Sequence, residues 1–162
     1  MIQSYSMNHH GLSYNQGSSM DYKKLNQKDF IFIKNVESRW RDMDAIGHIN
    51  NATYLTYFET TRVDFLKQLG FDLLKRDVDS SVILASMKVD YIKQSTHPSK
   101  YSIGCRITRL GNKSFDLLST IFVKEELSPI VIGVFTLVAF NYKTQKSIPL
   151  NKDIISNYLP FE

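Results

Sequence analysis

From residue 30 onward, apolar residues recur with two different periods. Residues 30–40 alternate. Phe30, Phe32, Val36 and Trp40 share one face, Ile31 and Ile33 the other, and Asn35, Glu37 and Arg39 then take over, which predicts a strand. Residues 51–69 switch to a 3.6-residue period. Ala52, Leu55, Phe58, Arg62, Phe65, Leu66 and Leu69 form a stripe that Tyr54, Tyr57 and Val63 widen, so the spacing predicts a helix wrapped by other elements rather than laid on a surface. Asn50 or Asn51 can cap its start. Gly70 suits the left-handed residue beyond its end, with Lys67 in the last turn.

Four further alternating runs follow. Ile83, Ala85, Met87, Val89 and Tyr91 make the first, and Tyr101, Ile103, Cys105 and Ile107 the second. Phe115, Leu117, Ile121 and Val123 make the third. Residues 130–142 are apolar on both faces, as in a strand covered on both sides. Turn signals at Thr96-His97-Pro98, Gly111-Asn112 and Ser128-Pro129 separate the runs, and such short connections favour antiparallel hairpins. After Pro149, Asn151 can cap a short helix that buries Ile154, Ile155 and Leu159. Residues 1–27, rich in Ser, Asn, Gln, Gly and Tyr, have no sustained apolar period and read as a flexible arm, leaving residues 28–162 as one domain. The expected fold is α+β, a curved antiparallel sheet of about five strands wrapped around one long central helix.

Composition narrows the class. One cysteine cannot form an internal disulfide, and the position of Cys105 in an alternating run reads as a small buried hydrophobe. A net charge of +4 suits an anionic ligand, but the basic residues are scattered, so nucleic acid is not expected as a partner. No apolar stretch has the roughly 18 residues of a membrane span, and no secretory h-region is visible, so no membrane association and a cytoplasmic location are expected. The adjacent His9 and His10 lack a third ligand nearby, and no metal-ligand spacing occurs elsewhere.

Chemistry concentrates in residues 39–51, Arg-Trp-Arg-Asp-Met-Asp-Ala-Ile-Gly-His-Ile-Asn-Asn. Two carboxylates, Asp42 and Asp44, lie between the end of a strand and the start of a helix. The unpaired N–H groups and positive dipole end of a helix keep a nearby carboxylate ionised and can donate to an oxyanion. Gly47 permits a tight turn and close approach to a ligand.

This stretch resembles the 4-hydroxybenzoyl-CoA thioesterase family of hotdog proteins. The match runs through the Asp-x-Asp pair, Gly47-His48-Ile49-Asn50-Asn51, Tyr54, Tyr57-Phe58-Glu59 and Arg62. Asp90-Tyr91 and Gly111-Asn112-Lys113-Ser114-Phe115 extend it. The resemblance implies a hotdog fold and an acyl-CoA thioesterase that needs no metal or redox cofactor. It implies Asp44 as nucleophile or general base, and the Asn51 backbone N–H as the donor that polarises the thioester carbonyl. It also implies a role for Lys113 and Ser114 in contacting the coenzyme A moiety, although Gly111 and Asn112 stand where some relatives carry arginines. Asp42 reads as an acceptor fixing the loop, and His48 as a loop-shaping or pocket residue. Glu59 is the rival carboxylate, since a related hotdog branch uses a helix glutamate at that offset; its other reading is an ion pair with Arg62. The resemblance further implies a homodimer or homotetramer with the site between protomers. A non-catalytic acyl-CoA or acyl-carrier-protein binding protein is the alternative. A hotdog dehydratase or hydratase is a third reading, which lacks its usual Asp/His arrangement here.

Overall fold

The computed structural model describes residues 24–71, 78–124, 126 and 128–161. Among them lie strands β1 (Phe32–Glu37), β2 (Ser81–Tyr91), β3 (Lys100–Leu110), β4 (Ser114–Val123), β5 (Pro129–Asn141) and β6 (Lys146–Ser147). Two helices accompany them, α1 (Asn51–Gln68) and α2 (Lys152–Ser156). The strands form one antiparallel sheet in the order β1-β3-β4-β5-β2, with β6 beside β5. The curled sheet wraps α1, as the pattern predicted, in the hotdog architecture that the family resemblance implied.

Helix α1 ends where its sequence says it should. The Asn50 side chain accepts from the Ala52 N–H at its start, and Gly70 follows its end with φ of +85°. Phe58, Phe65 and Leu66 join Phe115, Leu117, Ile121, Phe135 and Leu137 in the main core between helix and sheet. Wrapping is one-sided, because Asn51, Ala52, Thr56, Glu59 and Thr60 remain exposed.

The outer face of the sheet is also apolar. Leu118, Phe122, Ile132 and Val134 lie there, covered by Leu25 and Phe30, with Phe161 packed against them. Gly104 makes this possible, since a Cβ at that position would overlap the Phe30 ring. Phe30 therefore sits on the outer face while Phe32 meets Phe65 on the helix side, so the two do not share the face their alternation suggested. Arg106 ties the segment before β1 and the segment after α2 to this face. Its guanidinium donates to the carbonyls of Asp29 (2.9 Å), Leu159 (2.5 Å) and Pro160, and stacks on Phe161.

Several other expectations are corrected. Leu25 is buried, and Asn26 caps a turn at Gln27–Asp29, so the folded part reaches back into the segment assigned to the arm; residues 1–23 lie outside the described residues. Trp40 belongs to a 3-10 turn after β1 and is 77% exposed. A bulge between Leu84 and Ser86 reverses the alternation of β2, so Ile83 pairs with Val138 on the outer face while Leu84 and Met87 face the helix side beside Leu137 and Phe135. β2 and β3 do not form a hairpin. Helix α1 delivers the chain to the far edge, and the connection 92–99 crosses the sheet end to return. Extended, it reaches about 26 Å, while three strand spacings need about 14 Å. In α2 only Ile154 is fully buried; Ile155 and Leu159 are exposed.

Candidate active site

The segment between β1 and α1 folds into a small hairpin. The Asn50 N–H donates to the Asp42 carbonyl (2.8 Å), the Asp44 N–H to the His48 carbonyl (2.7 Å), and the Gly47 N–H to the Asp44 carbonyl (3.1 Å). Gly47 closes the turn with φ of +83°, a conformation that disfavours any side chain. The crossover 92–99 braces the hairpin from outside. Ile49 N–H donates to the Ser95 carbonyl (2.8 Å), and Thr96 Oγ1 to the Gly47 carbonyl (2.9 Å). The sequence marked Thr96 only as part of a turn and did not mark Ser95, because the contribution of both to the hairpin depends on the β2–β3 crossover.

Asp42 anchors the base of the hairpin. Its buried carboxylate accepts from the Arg39 N–H (2.6 Å), the Arg39 Nη2 (3.0 Å) and the Tyr57 hydroxyl (2.6 Å). Burial pulls its carboxyl upward, but the Arg39 side chain, the Tyr57 hydroxyl and the Arg39 N–H together outweigh burial and hold it below the ordinary carboxylate value. Tyr57, read from sequence as part of the apolar stripe of the helix, thus ties the helix to the loop. Burial first, then the bond to Asp42, pushes its hydroxyl upward. Beside it the Tyr54 hydroxyl is buried without a hydrogen-bond partner among the described residues.

Asp44 stands at the tip of the hairpin and is only half-buried. Its Oδ1 accepts from the Ile46 N–H (3.0 Å) and the His48 N–H (3.1 Å). Its Oδ2 has no hydrogen-bond partner among the described residues. The helix cap is Asn50, so capping does not account for Asp44. In the first turn of α1 the Ala52 N–H meets the Asn50 side chain and the Thr53 N–H meets the Asn50 carbonyl. The Asn51 N–H has no such partner among the described residues. A carboxylate anchored through one oxygen and a helix N–H without a partner among the described residues therefore both belong to the loop and first turn that join β1 to α1. Ile46, 77% exposed, adds an apolar rim.

The other named residues lie elsewhere. Glu59 is exposed on α1, two turns beyond Asn51. It makes no direct ion pair with Arg62 among the described residues, although its charge acts on that guanidinium through space. Lys113 and Ser114 occupy the β3–β4 turn, where Lys113 Nζ donates to the Ser147 carbonyl (3.2 Å). The Ser38 N–H bonds the Ser99 carbonyl, which ties the hairpin to the start of β3. Lys113 follows the end of β3, so within one chain it is separated from Asp44 by a strand length, on the order of 30 Å. Cys105 is fully buried beside Ser119, and burial pushes its thiol up to about 12. Among the described residues no cluster of three potential metal ligands occurs, and no helix is long and apolar enough to cross a membrane.

Known proteins resemble this chain over most of its length. The long-chain acyl-CoA thioesterase FadM of Escherichia coli is 23% identical over 119 residues, covering 74% of this chain and 90% of its own. A thioesterase of Thermus thermophilus, solved in complex with coenzyme A and Zn, is 26% identical with a TM-score of 0.68, covering 79% of this chain and 97% of that one. The DHNA-CoA thioesterase of Staphylococcus aureus is 27% identical with a TM-score of 0.62, covering 73% and 79%. The sequence model of the thioesterase-like superfamily matches residues 38–157, from the end of β1 through α2, and the chain belongs to that superfamily as a hotdog-fold thioester hydrolase.

Proposed function

We propose that the protein hydrolyses acyl-coenzyme A to free acid and coenzyme A, with Asp44 as the reacting carboxylate. The observation that carries this reading is the division of labour within Asp44. Oδ1 is fixed by two backbone N–H groups, and Oδ2 is left free close to the start of α1. The thioester carbonyl would accept from the Asn51 N–H, which stabilises the charge that develops as the carbon becomes tetrahedral. Asp44 Oδ2 then either attacks that carbon, expelling the thiolate to leave an anhydride that water cleaves, or removes a proton from the attacking water. Both routes break the C–S bond and yield acid and thiol. Gly47 and His48 shape the turn that holds Oδ1. Coenzyme A as leaving group is supported by the Thermus relative, which was solved with it bound.

The working unit in this reading is a dimer. β2 is an edge strand, and Leu84 (42% exposed), Met87 (51%) and Tyr91 lie uncovered along it. The Tyr91 hydroxyl reaches the Asn51 carbonyl (3.3 Å), so the start of α1 opens onto the far end of this edge. Ser81, at the near end, pairs with Phe140 beside the Val138 that meets Ser114, which puts Lys113 at that end. Antiparallel pairing of two β2 strands about a two-fold axis sets the near end of one against the far end of the other. Asp44 of one protomer would then share an edge with the partner's Lys113, a point charge suited to a coenzyme A phosphate. The test is thiol release from a panel of aryl-, short- and long-chain acyl-CoAs, with Asp44→Asn run alongside. Turnover of no member of the panel, or turnover that survives Asp44→Asn, refutes the assignment.

A further inference from the structure

Two opposite charges on one turn of α1 have no hydrogen bond or ion pair among the described residues. Arg62 is only 9% exposed and its guanidinium lies over the Phe135 ring (5.1 Å), yet it has no hydrogen bond or ion pair among the described residues. Burial lowers its pKa and the neighbouring charge of Glu59 opposes that shift. Glu59 itself is exposed and forms no ion pair among the described residues. An almost buried cation without hydrogen bonds is costly and calls for an acceptor.

The level of this pair along the sheet is informative. Arg62 lies over Phe135, and Phe135 pairs with Met87 on β2. Met87 is next to Ser86, the midpoint of β2 (Ser81–Tyr91). If two β2 strands pair over their full length, the two-fold axis relating them passes near that midpoint. It therefore brings the same level of both protomers together, and with it Glu59 and Arg62 of each.

Resting on the dimer reading above, we infer that Glu59 and Arg62 form a reciprocal pair of interprotomer ion pairs about the two-fold axis, Glu59 to the partner's Arg62 and Arg62 to the partner's Glu59. The partner is a second copy of this chain, because a self-complementary surface needs both charges on each copy and α1 carries them one turn apart. The pairing also removes Glu59 from competition as the reacting carboxylate. Its charge is engaged in assembly.

Charge exchange tests this directly. Glu59→Arg would set Arg against Arg across the axis, and Arg62→Glu would set Glu against Glu. Each variant alone should dimerise about 100-fold more weakly, as close interfacial charges do when one is reversed. An equimolar mixture restores both contacts, Arg to Glu in each direction, and should give a heterodimer, read by native mass spectrometry and sedimentation velocity. Arg62→Glu places a carboxylate near Phe135 and risks misfolding. A parallel double-mutant cycle with Glu59→Gln and Arg62→Gln therefore accompanies it, with circular dichroism as the check on folding. In that cycle the double variant should dimerise about as weakly as either single one. A wild-type monomer overturns both the dimer reading and this pairing. A wild-type dimer whose stability is unmoved by Glu59→Arg, or a cycle in which the two losses simply add, overturns the pairing and leaves the dimer standing.

Discussion

Removing the Asp42 carboxylate should loosen the hairpin without touching the reacting group. In Asp42→Ala the buried Tyr57 hydroxyl and the Arg39 N–H each lose an acceptor at 2.6 Å, while the exposed Arg39 guanidinium simply rehydrates. A buried donor and a part-buried one left unpaired cost about 2–3 kcal/mol together. For a domain of this size that lowers Tm by about 4–12 °C. Asp42→Asn should cost less, because its amide oxygen can still accept from Tyr57 and the Arg39 N–H. Part of the loss should also depend on pH. The Asp42 carboxyl is held below its ordinary value in the folded state. Its charge therefore contributes stability above the unfolded-state value of about 3.9 and loses that contribution as pH falls through the folded one. Urea unfolding of wild type and Asp42→Ala at pH 7, 5, 4 and 3 reads this out. The gap between them should be widest at pH 7 and narrow below about pH 5. An Asp42→Ala protein within about 0.5 kcal/mol of wild type at pH 7, or a gap that widens on acidification, refutes the reasoning.

Asp44→Asn keeps an oxygen for the Ile46 and His48 N–H groups and puts an NH₂ where Oδ2 stood, so kcat should fall about 100-fold or more with Tm nearly unchanged, measured by thiol release and calorimetry. Lys113→Ala should raise KM for acyl-CoA more than it lowers kcat and should leave KM for a pantetheine thioester unchanged, because the shorter substrate has no nucleotide phosphate; equal effects on both substrates would count against a nucleotide contact. Gly104→Ala should destabilise by about 1–3 kcal/mol in a denaturant titration, because the new methyl displaces the Phe30 ring from the outer face.

Local signals carried much of this fold. The period of residues 51–69, the Asn50 cap and Gly70 gave α1 nearly to the residue, because a helix is built from contacts three and four positions apart. The strands β3, β4 and β5 were legible from their two-residue alternation and apolar faces, because neighbouring side chains on a strand point to opposite faces. What alternation could not show was non-local. The β2 bulge moves Ile83 and Met87 to opposite faces, and no residue in that run announces it. Phe30 leaves the face of Phe32 only because Gly104, far along the chain, makes room for it. The crossover that braces the hairpin through Ser95 and Thr96 follows from the strand order. In the site, the resemblance drew attention to Asp44, Gly47, His48 and Asn51, which are close in sequence as in space. It did not show that Lys113 sits at the other end of the same chain. Nor did it show that Tyr57 and Arg39 are the groups holding Asp42.

The Arg106 clamp bears on how a newly made chain becomes compact. Its bond to Asp29 spans 77 positions and its bond to Pro160 spans 54, so one side chain closes two long loops. Contacts of such long range form late, since the entropy of loop closure is lost before the contact repays it. Residues 159–161 are made after every strand of the sheet, so the outer apolar patch around Leu118, Phe122, Ile132 and Val134 lacks part of its cover until they have been added. A chain stalled before Leu159 would display that patch with a charged, unclamped guanidinium at its border. It would be both a poor folder and a sticky one.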